Sequence, residues 1–246
     1  PVSLSTKTLF EKQASTGLHV LRDSHPDILN TVVEAQSIHI LGSGMNPERP
    51  AHQAILDLDN GGWRLVPVHP RDAGGSIAGR PIRASIEDGI VPEIVVFFLA
   101  PERAKQAVQN LLFRFDRETM PLRWFQPGSE HEEVLEMLNE ADLPHIVDDC
   151  IVRFVKRHHL TANSPTNAGP WYRQIASEEG DGCSVWTVHG SQEAFHPPIT
   201  TLGWCGDLDD LRASQHTVAR YIRSLVRTDE RLHDAALRLT HVAPEE

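Results

Sequence analysis

Short apolar runs alternate with amphipathic stretches over the first two thirds of the chain. Ile38–Leu41, Arg64–Val68, Ile94–Leu99, Leu122–Gln126 and His145–Asp148 read as strands, being brief and rich in β-branched or aromatic residues. Between them, Pro26–Ala35, Ala51–Asp59, Pro101–Phe115 and Glu130–Ala141 space their apolar residues as helices do. That alternation predicts an α/β fold built on a Rossmann-like, doubly wound parallel sheet. Ile94-Val-Val-Phe-Phe-Leu99 is apolar on both faces, as a central parallel strand must be. Beyond Leu160 the texture changes. Thr161–Pro170 is a run of turn formers, Gly182–Gly190 alternates like a strand, and Asp207–Arg227 has one helical stripe through Leu208, Leu211, Val218, Ile222 and Leu225, with Asp207 as its cap. A last helix is predicted over Asp229–Leu239. The chain therefore divides into an N-terminal arm at 1–24, with a short helix near Leu9–Ala14, an α/β domain at 25–160, and a C-terminal α+β extension at 161–246.

The first strand breaks into Gly42-Ser-Gly-Met-Asn-Pro-Glu-Arg-Pro50. Glycines at 42 and 44 allow positive φ and leave no Cβ toward a ligand, while Pro47 and Pro50 suit the first turn of a helix. The unpaired N–H groups of such a turn attract an anion, and Arg49 adds a fixed positive charge, so Gly42, Ser43, Gly44 and Arg49 form a candidate phosphate site. The third glycine of the dinucleotide fingerprint is replaced by Pro47. In a dinucleotide fold the second strand ends on an acidic residue when the ribose 2′-hydroxyl is free. Here Val68 leads into His69-Pro-Arg71, with Asp72 one residue further. His69 and Arg71 favour a phosphorylated ribose, the 2′-phosphate of NADP or the 3′-phosphate of coenzyme A, over plain NAD.

These segments together resemble the small CoA-binding Rossmann proteins, which are similar in turn to the CoA-binding domain of succinyl-CoA synthetase and of ADP-forming acyl-CoA synthetases. Asp27-Ile-Leu-Asn30 with Ile38–Pro50 looks like that family's opening helix, first strand and loop, and Leu65-Val-Pro-Val-His-Pro-Arg71 like its second strand. Gly75-Ser-Ile-Ala-Gly-Arg-Pro-Ile-Arg-Ala-Ser85 resembles its Gly-x-x-x-x-Gly-x-x-x-x-x-Ser segment. Trp124-Phe-Gln-Pro-Gly128 and Asp148-Asp-Cys-Ile151 resemble the end of its fourth strand and its closing strand, which would place Cys150 on a strand. The likeness covers roughly residues 27–160. It implies a ligand of CoA or acyl-CoA lying across the strand ends, with Gly42, Ser43, Gly44 and Arg49 on phosphates, His69 and Arg71 at the adenosine and its 3′-phosphate, and Gln126 with Gly128 on the pantetheine side.

Two departures are visible. Gly44 stands where the family usually has Ser, and His69 where it has Asn. The remaining chain after 160 is too short for the phosphohistidine domain of the acyl-CoA synthetases, so ligase activity by this chain alone is not expected. An NADP-dependent oxidoreductase would use the same loop but needs a proton donor, and the chain has no Tyr-x-x-x-Lys, its tyrosines being Tyr172 and Tyr221. A third reading is a CoA-sensing subunit whose extension docks a partner enzyme, or a homodimer in which the extension supplies the contact.

Composition narrows the field further. With 23 basic against 34 acidic residues the formal charge is −11, which opposes nucleic-acid binding. No apolar run is long enough to span a bilayer and no secretory signal is legible, so a cytoplasmic protein with reduced thiols is expected. Cys183, His189, His196 and Cys205 lack the close pairing of zinc sites, and the side chains of His158 and His159 would diverge in extended backbone, so no metal is expected. Cys150, beside Asp148 and Asp149, reads as structural rather than reactive. Arg103 and Lys105, near the start of the helix after the third strand, are further candidates for a pyrophosphate.

Overall fold

The computed structural model describes residues 26–191 and 194–240; the predicted arm and its short helix near Leu9–Ala14 lie outside the described residues. The first part of the fold runs α1 (Pro26–Glu34), β1 (Ser37–Leu41), α2 (Pro50–Leu58), β2 (Arg64–Val68), β3 (Ser76–Ile77), β4 (Arg80–Pro81), β5 (Ile94–Phe97), α3 (Pro101–Arg114), β6 (Leu122–Phe125), α4 (Glu132–Glu140), β7 (His145–Ile146) and α5 (Ile151–Arg157). The main sheet is parallel throughout, in the order β2-β1-β5-β6-β7. The chain steps from β1 to β2 on one side and then crosses to β5 on the other, so its direction reverses at β1. In open α/β sheets the crevice at such a reversal, outside the carboxyl ends of the strands, is where ligands bind.

Alternation along each strand feeds two cores. Ile38, Ile40, Ile94 and Trp124 face one side with Ile55, Trp63 and Phe154, whereas Leu41, Val95, Phe97 and Phe125 face the other with Val108, Leu111 and Leu138. The Trp63 ring is fully buried and its indole N–H donates to the Val32 carbonyl at 2.8 Å.

The closing segment differs from the expectation. β7 is two residues long, and Asp148 turns the chain with φ 61. Cys150 therefore sits on no strand: it is the extended residue before α5, a helix the sequence pattern had not indicated. Asp149 fixes this corner, because its carbonyl accepts the Trp124 indole N–H at 2.9 Å and its carboxylate the Cys150 N–H at 2.8 Å. α4 starts two residues later than predicted, since Glu130 turns back to accept the Gly128 N–H at 2.6 Å.

The extension forms β8 (Trp171–Ala176), β9 (Ser184–His189) and β10 (Leu202–Asp207), an antiparallel sheet in the order β10-β8-β9, followed by α6 (Leu208–Ala213), α7 (Thr217–Ser224) and α8 (Leu232–Arg238). Asp207 caps α6 as expected, in a capping box with Asp210. The single helix predicted through Arg227 is instead two. Ser214 and His216 break it by accepting the N–H groups of His216 and Val218 at 3.1 and 3.3 Å, local bonds that compete with helix continuation. The apolar stripe is covered by the chain itself: Leu211 and Ile222 are buried, with Leu208 and Val218 packed beside them, against Tyr172, Trp186 and Trp204. Those three rings stack at 5.6 and 5.9 Å. The stripe thus gives no support to a second copy of the chain.

The extension also closes on the α/β sheet. Ser76 and Phe195 exchange hydrogen bonds at 2.9 and 3.0 Å, and Arg173 donates to the Gly74 carbonyl at 2.9 Å. The buried Cys205 thiol donates to the Ile82 carbonyl at 3.2 Å.

Candidate functional site

At the carboxyl ends of β1, β2, β5 and β6 the chain leaves a cleft of about 970 Å³. Its floor is the loop after β1. Gly42 has φ 94 and donates to the Val68 carbonyl at 2.9 Å, and a Cβ there would run into the Phe98 carbonyl. Gly44 does not adopt positive φ, contrary to expectation; a Cβ on it would collide with the Asp72 carboxylate. Gly42 is therefore required by packing of the loop against the neighbouring strand end, and Gly44 leaves room for the Asp72 carboxylate, before any ligand is considered. Asp72 accepts the Met45 N–H at 2.7 Å and so ties the glycine loop to the loop after β2. Among the described residues, the N–H groups of Ser43 and Gly44 have no acceptor.

Ser43 presents only its backbone. Its hydroxyl is fully buried and donates to the Ala51 carbonyl at 2.9 Å, pinning the loop to the first turn of α2. Arg49 is the extended residue before that helix and Pro50 its first position, so the geometry expected of an anion-binding turn is present.

The structure brings Gly42, Gly44, Arg49, His69, Arg71, Gln126 and Gly128 into one cleft lining, with Ser43 directly beneath. Arg103 joins them from α3. Lys105 does not: it pairs with Glu133, which raises its pKa, and it lies away from the lining. Arg49, Arg71 and Arg103 make no salt bridge among the described residues. Asp72 also lines the cleft; its carboxylate accepts the Met45 N–H and lies 3.3 Å from the His69 ring, and it makes no ion pair with Arg71. On the far side Gln126 is 5% exposed; its carbonyl accepts the Ser129 hydroxyl at 2.7 Å, but its side-chain NH2 has no partner. A buried amide left in that state is a donor waiting for an acceptor. Gly128, with φ 89, has open space where a Cβ would project.

Asn46, Ser85, Gln106 and Asn110 also line the cleft and were not assigned from sequence. Asn46 and Ser85 fall inside the family-like segments, which was the available signal; the two on α3 carried none. Of the four residues weighed as zinc ligands, His189 and Cys205 are buried whereas Cys183 and His196 are exposed. Burial pushes the Cys205 thiol up to about 11 and the His189 imidazole down to about 4, and among the described residues no group of three or more potential ligands gathers.

Comparison with known proteins finds likenesses over the α/β part of the chain. Residues 36–155 match the family model of the CoA binding domain. That segment is similar to the CoA binding domain family. The chain is also similar to the uncharacterized protein YneT of Bacillus subtilis, 25% identical over 130 residues that cover 52% of this chain and 91% of that protein. Among solved structures it resembles cell-free ID.343 from Thermus thermophilus, at 29% identity and a TM-score of 0.49, covering 56% of this chain and 98% of the other. A hypothetical protein from Pyrococcus horikoshii OT3 is similar at 24% identity and a TM-score of 0.48, covering 61% and 98%. The family match leaves residues 156–246 outside it.

Proposed function

We propose that the protein binds coenzyme A or an acyl-CoA in this cleft. The observation that carries the reading is the charge left over there: three arginines without carboxylate partners surround a glycine loop whose Ser43 and Gly44 N–H groups are unpaired. CoA carries a pyrophosphate and a 3′-phosphate, and both need such donors. In this reading the loop and Arg49 hold the pyrophosphate, His69 and Arg71 the adenosine 3′-phosphate, and the unpaired Gln126 amide, beside Gly128, an amide carbonyl of the pantetheine arm. The free cysteines Cys150, Cys183 and Cys205 agree with a reducing cytoplasmic setting. No helix among the described residues is long and apolar enough to cross a membrane.

Titration calorimetry and thermal shift with CoA, 3′-dephospho-CoA, NADP and NAD test the proposal. CoA should bind most tightly and NAD least, and at 100 times the dissociation constant CoA should add about 2.7 kcal/mol of stability. Tighter binding of NADP than of CoA would transfer the site to a nicotinamide cofactor.

A further inference from the structure

We infer that Asp210, in the extension, is a positioning residue for the CoA cleft, acting through Arg83 on the tip of β2. Three observations form one chain of contacts. The Arg83 side chain is gripped by the start of α6: its Nε donates to Asp210 Oδ2 at 3.0 Å, one of its terminal nitrogens donates to both Asp210 and Asp207, and the other donates to the Pro81 carbonyl at 2.6 Å. The Arg83 backbone then braces the end of β2. Its N–H donates to the Pro67 carbonyl at 2.9 Å, and its carbonyl accepts the N–H of His69 at 3.0 Å. Finally, the residues after Arg83 alternate between duties. Ala84, Ser85, Ile86 and Glu87 form one wall of the cleft, while Asp88, Gly89 and Ile90 are held by the extension. Asp88 takes the Ser214 hydroxyl and the Gln215 N–H, the latter at 2.8 Å; Ile90 donates to Asp210 at 3.3 Å; and Gly89 packs too closely on Asp210 to carry a Cβ.

The extension does not line the cleft, yet it fixes both the wall and the tip on which His69 and Arg71 stand. A loss of grip at Asp210 releases Arg83, and with it the end of the cleft assigned to the 3′-phosphate. The opposite end, at Gln126 and Gly128, has no part in these contacts. The effect on binding is therefore selective by ligand. This inference rests on the CoA reading of the cleft.

Asp210→Asn, which keeps the shape of the side chain, is the variant to measure, with Arg83→Lys as its counterpart. Affinity for CoA should fall on the order of tenfold, the effect of weakening a hydrogen bond to a charged group, while dephospho-CoA changes much less. Should the variants unfold, the wild-type chain supplies the second readout: by linkage, CoA should slow amide hydrogen exchange at Asp207, Asp209, Asp210 and Ile90, none of which line the cleft. Equal losses for the two ligands, or exchange at those amides unmoved by CoA, would overturn the inference while leaving CoA binding intact. Failure of CoA to bind the wild-type protein would instead remove the reading on which it rests.

Discussion

Two groups of arginines lie a few residues apart in this sequence and have opposite fates. In the seam between sheet and extension three arginines are matched by carboxylates: Arg64 meets Asp207 and Asp209, Arg83 meets Asp207 and Asp210, and Arg212 meets Asp209, while Arg173 donates to the Gly74 carbonyl. In the cleft Arg49, Arg71 and Arg103 make no ion pair among the described residues, although Asp72 and Glu87 share the lining. A chain of formal charge −11 has acidic residues to spare, yet among the described residues none pairs with these three arginines. Matched arginines hold the molecule together, whereas unmatched ones leave a field for an anionic ligand. The seam is also tight enough to shift protonation. Burial and the adjacent Asp207 push the Asp210 carboxyl up, whereas Arg83 and Arg64 hold Asp207 below its usual range in spite of burial.

The sharpest way to break the contrast is Arg83→Ala. The Arg83 and Asp210 side chains are only 8% and 4% exposed, and removing one member of a buried pair strands the other charge. Denaturant unfolding should show a loss of about 3–5 kcal/mol. The double variant Arg83→Met, Asp210→Leu should recover much of it, because an apolar pair leaves no charge behind. A single variant as stable as the wild type would mean that the seam contributes nothing.

Acid tests the same region from beneath. His39 on β1 is almost wholly buried, and burial, together with Arg83 and Arg114, lowers its pKa from 6.5 to about 3. The unfolded chain therefore takes up a proton below pH 6.5 that the folded chain refuses until about pH 3. His39 leaves stability unaffected above pH 6.5 and erodes it as pH falls from there, by up to about 1.4 kcal/mol per pH unit. His189, lowered mainly by burial and then by Arg173, acts in the same direction. Urea midpoints between pH 7 and 4.5 should fall less steeply in His39→Leu than in the wild type, and parallel curves would show that His39 is free to protonate in the fold.

In the cleft the expected effect lies on binding and spares stability. Arg71→Ala should weaken CoA by roughly 1.5–3 kcal/mol, leave dephospho-CoA nearly unchanged, and hardly move the unfolding midpoint, since Arg71 is exposed and unpaired. Equal losses for both ligands would take Arg71 away from the 3′-phosphate.

The parallel sheet was legible because buried strands such as Ile94–Phe97 are continuous apolar runs and the helices between them keep their period. Gly42, Gly44, Arg49, His69, Arg71, Gln126 and Gly128 could be expected in one cleft because they follow strand ends at fixed offsets. What escaped has physical reasons. β8 and β10 were missed because Trp-Tyr-Arg-Gln-Ile-Ala and Leu-Gly-Trp-Cys-Gly-Asp do not alternate cleanly, and β10 shifts register around Gly203. The break between α6 and α7 depends on Ser214 and His216 finding local acceptor roles, and Ser214 is also engaged by Asp88, 126 residues away. Arg83 lies in the family-like Gly75–Ser85 segment with no role legible there; its meaning comes from Asp210, 127 residues further on, and no local pattern encodes such a pair. The inward turn of the Ser43 hydroxyl was likewise settled by tertiary contact.

The smallest effect should come from the glycine at the far end of the cleft, and it separates what the fold requires from what the ligand requires. Gly42 and Gly128 both have positive φ, but only Gly42 is hemmed in, by the Phe98 carbonyl. Gly128→Ala meets no atom within 4 Å and so carries only the strain of a left-handed alanine, about 1–2 kcal/mol. Gly42→Ala adds a backbone collision to the same strain and should be clearly worse. Because the Gly128 position opens into the cleft, a larger side chain there should obstruct the ligand without further destabilising the fold. Stability of Gly128→Ala and Gly128→Leu should therefore be similar, while the leucine variant loses CoA affinity that the alanine variant keeps. Equal CoA affinity for the two would mean that the pantetheine arm does not pass Gly128, and the ligand would then have to leave the cleft along α3, past Gln106 and Asn110.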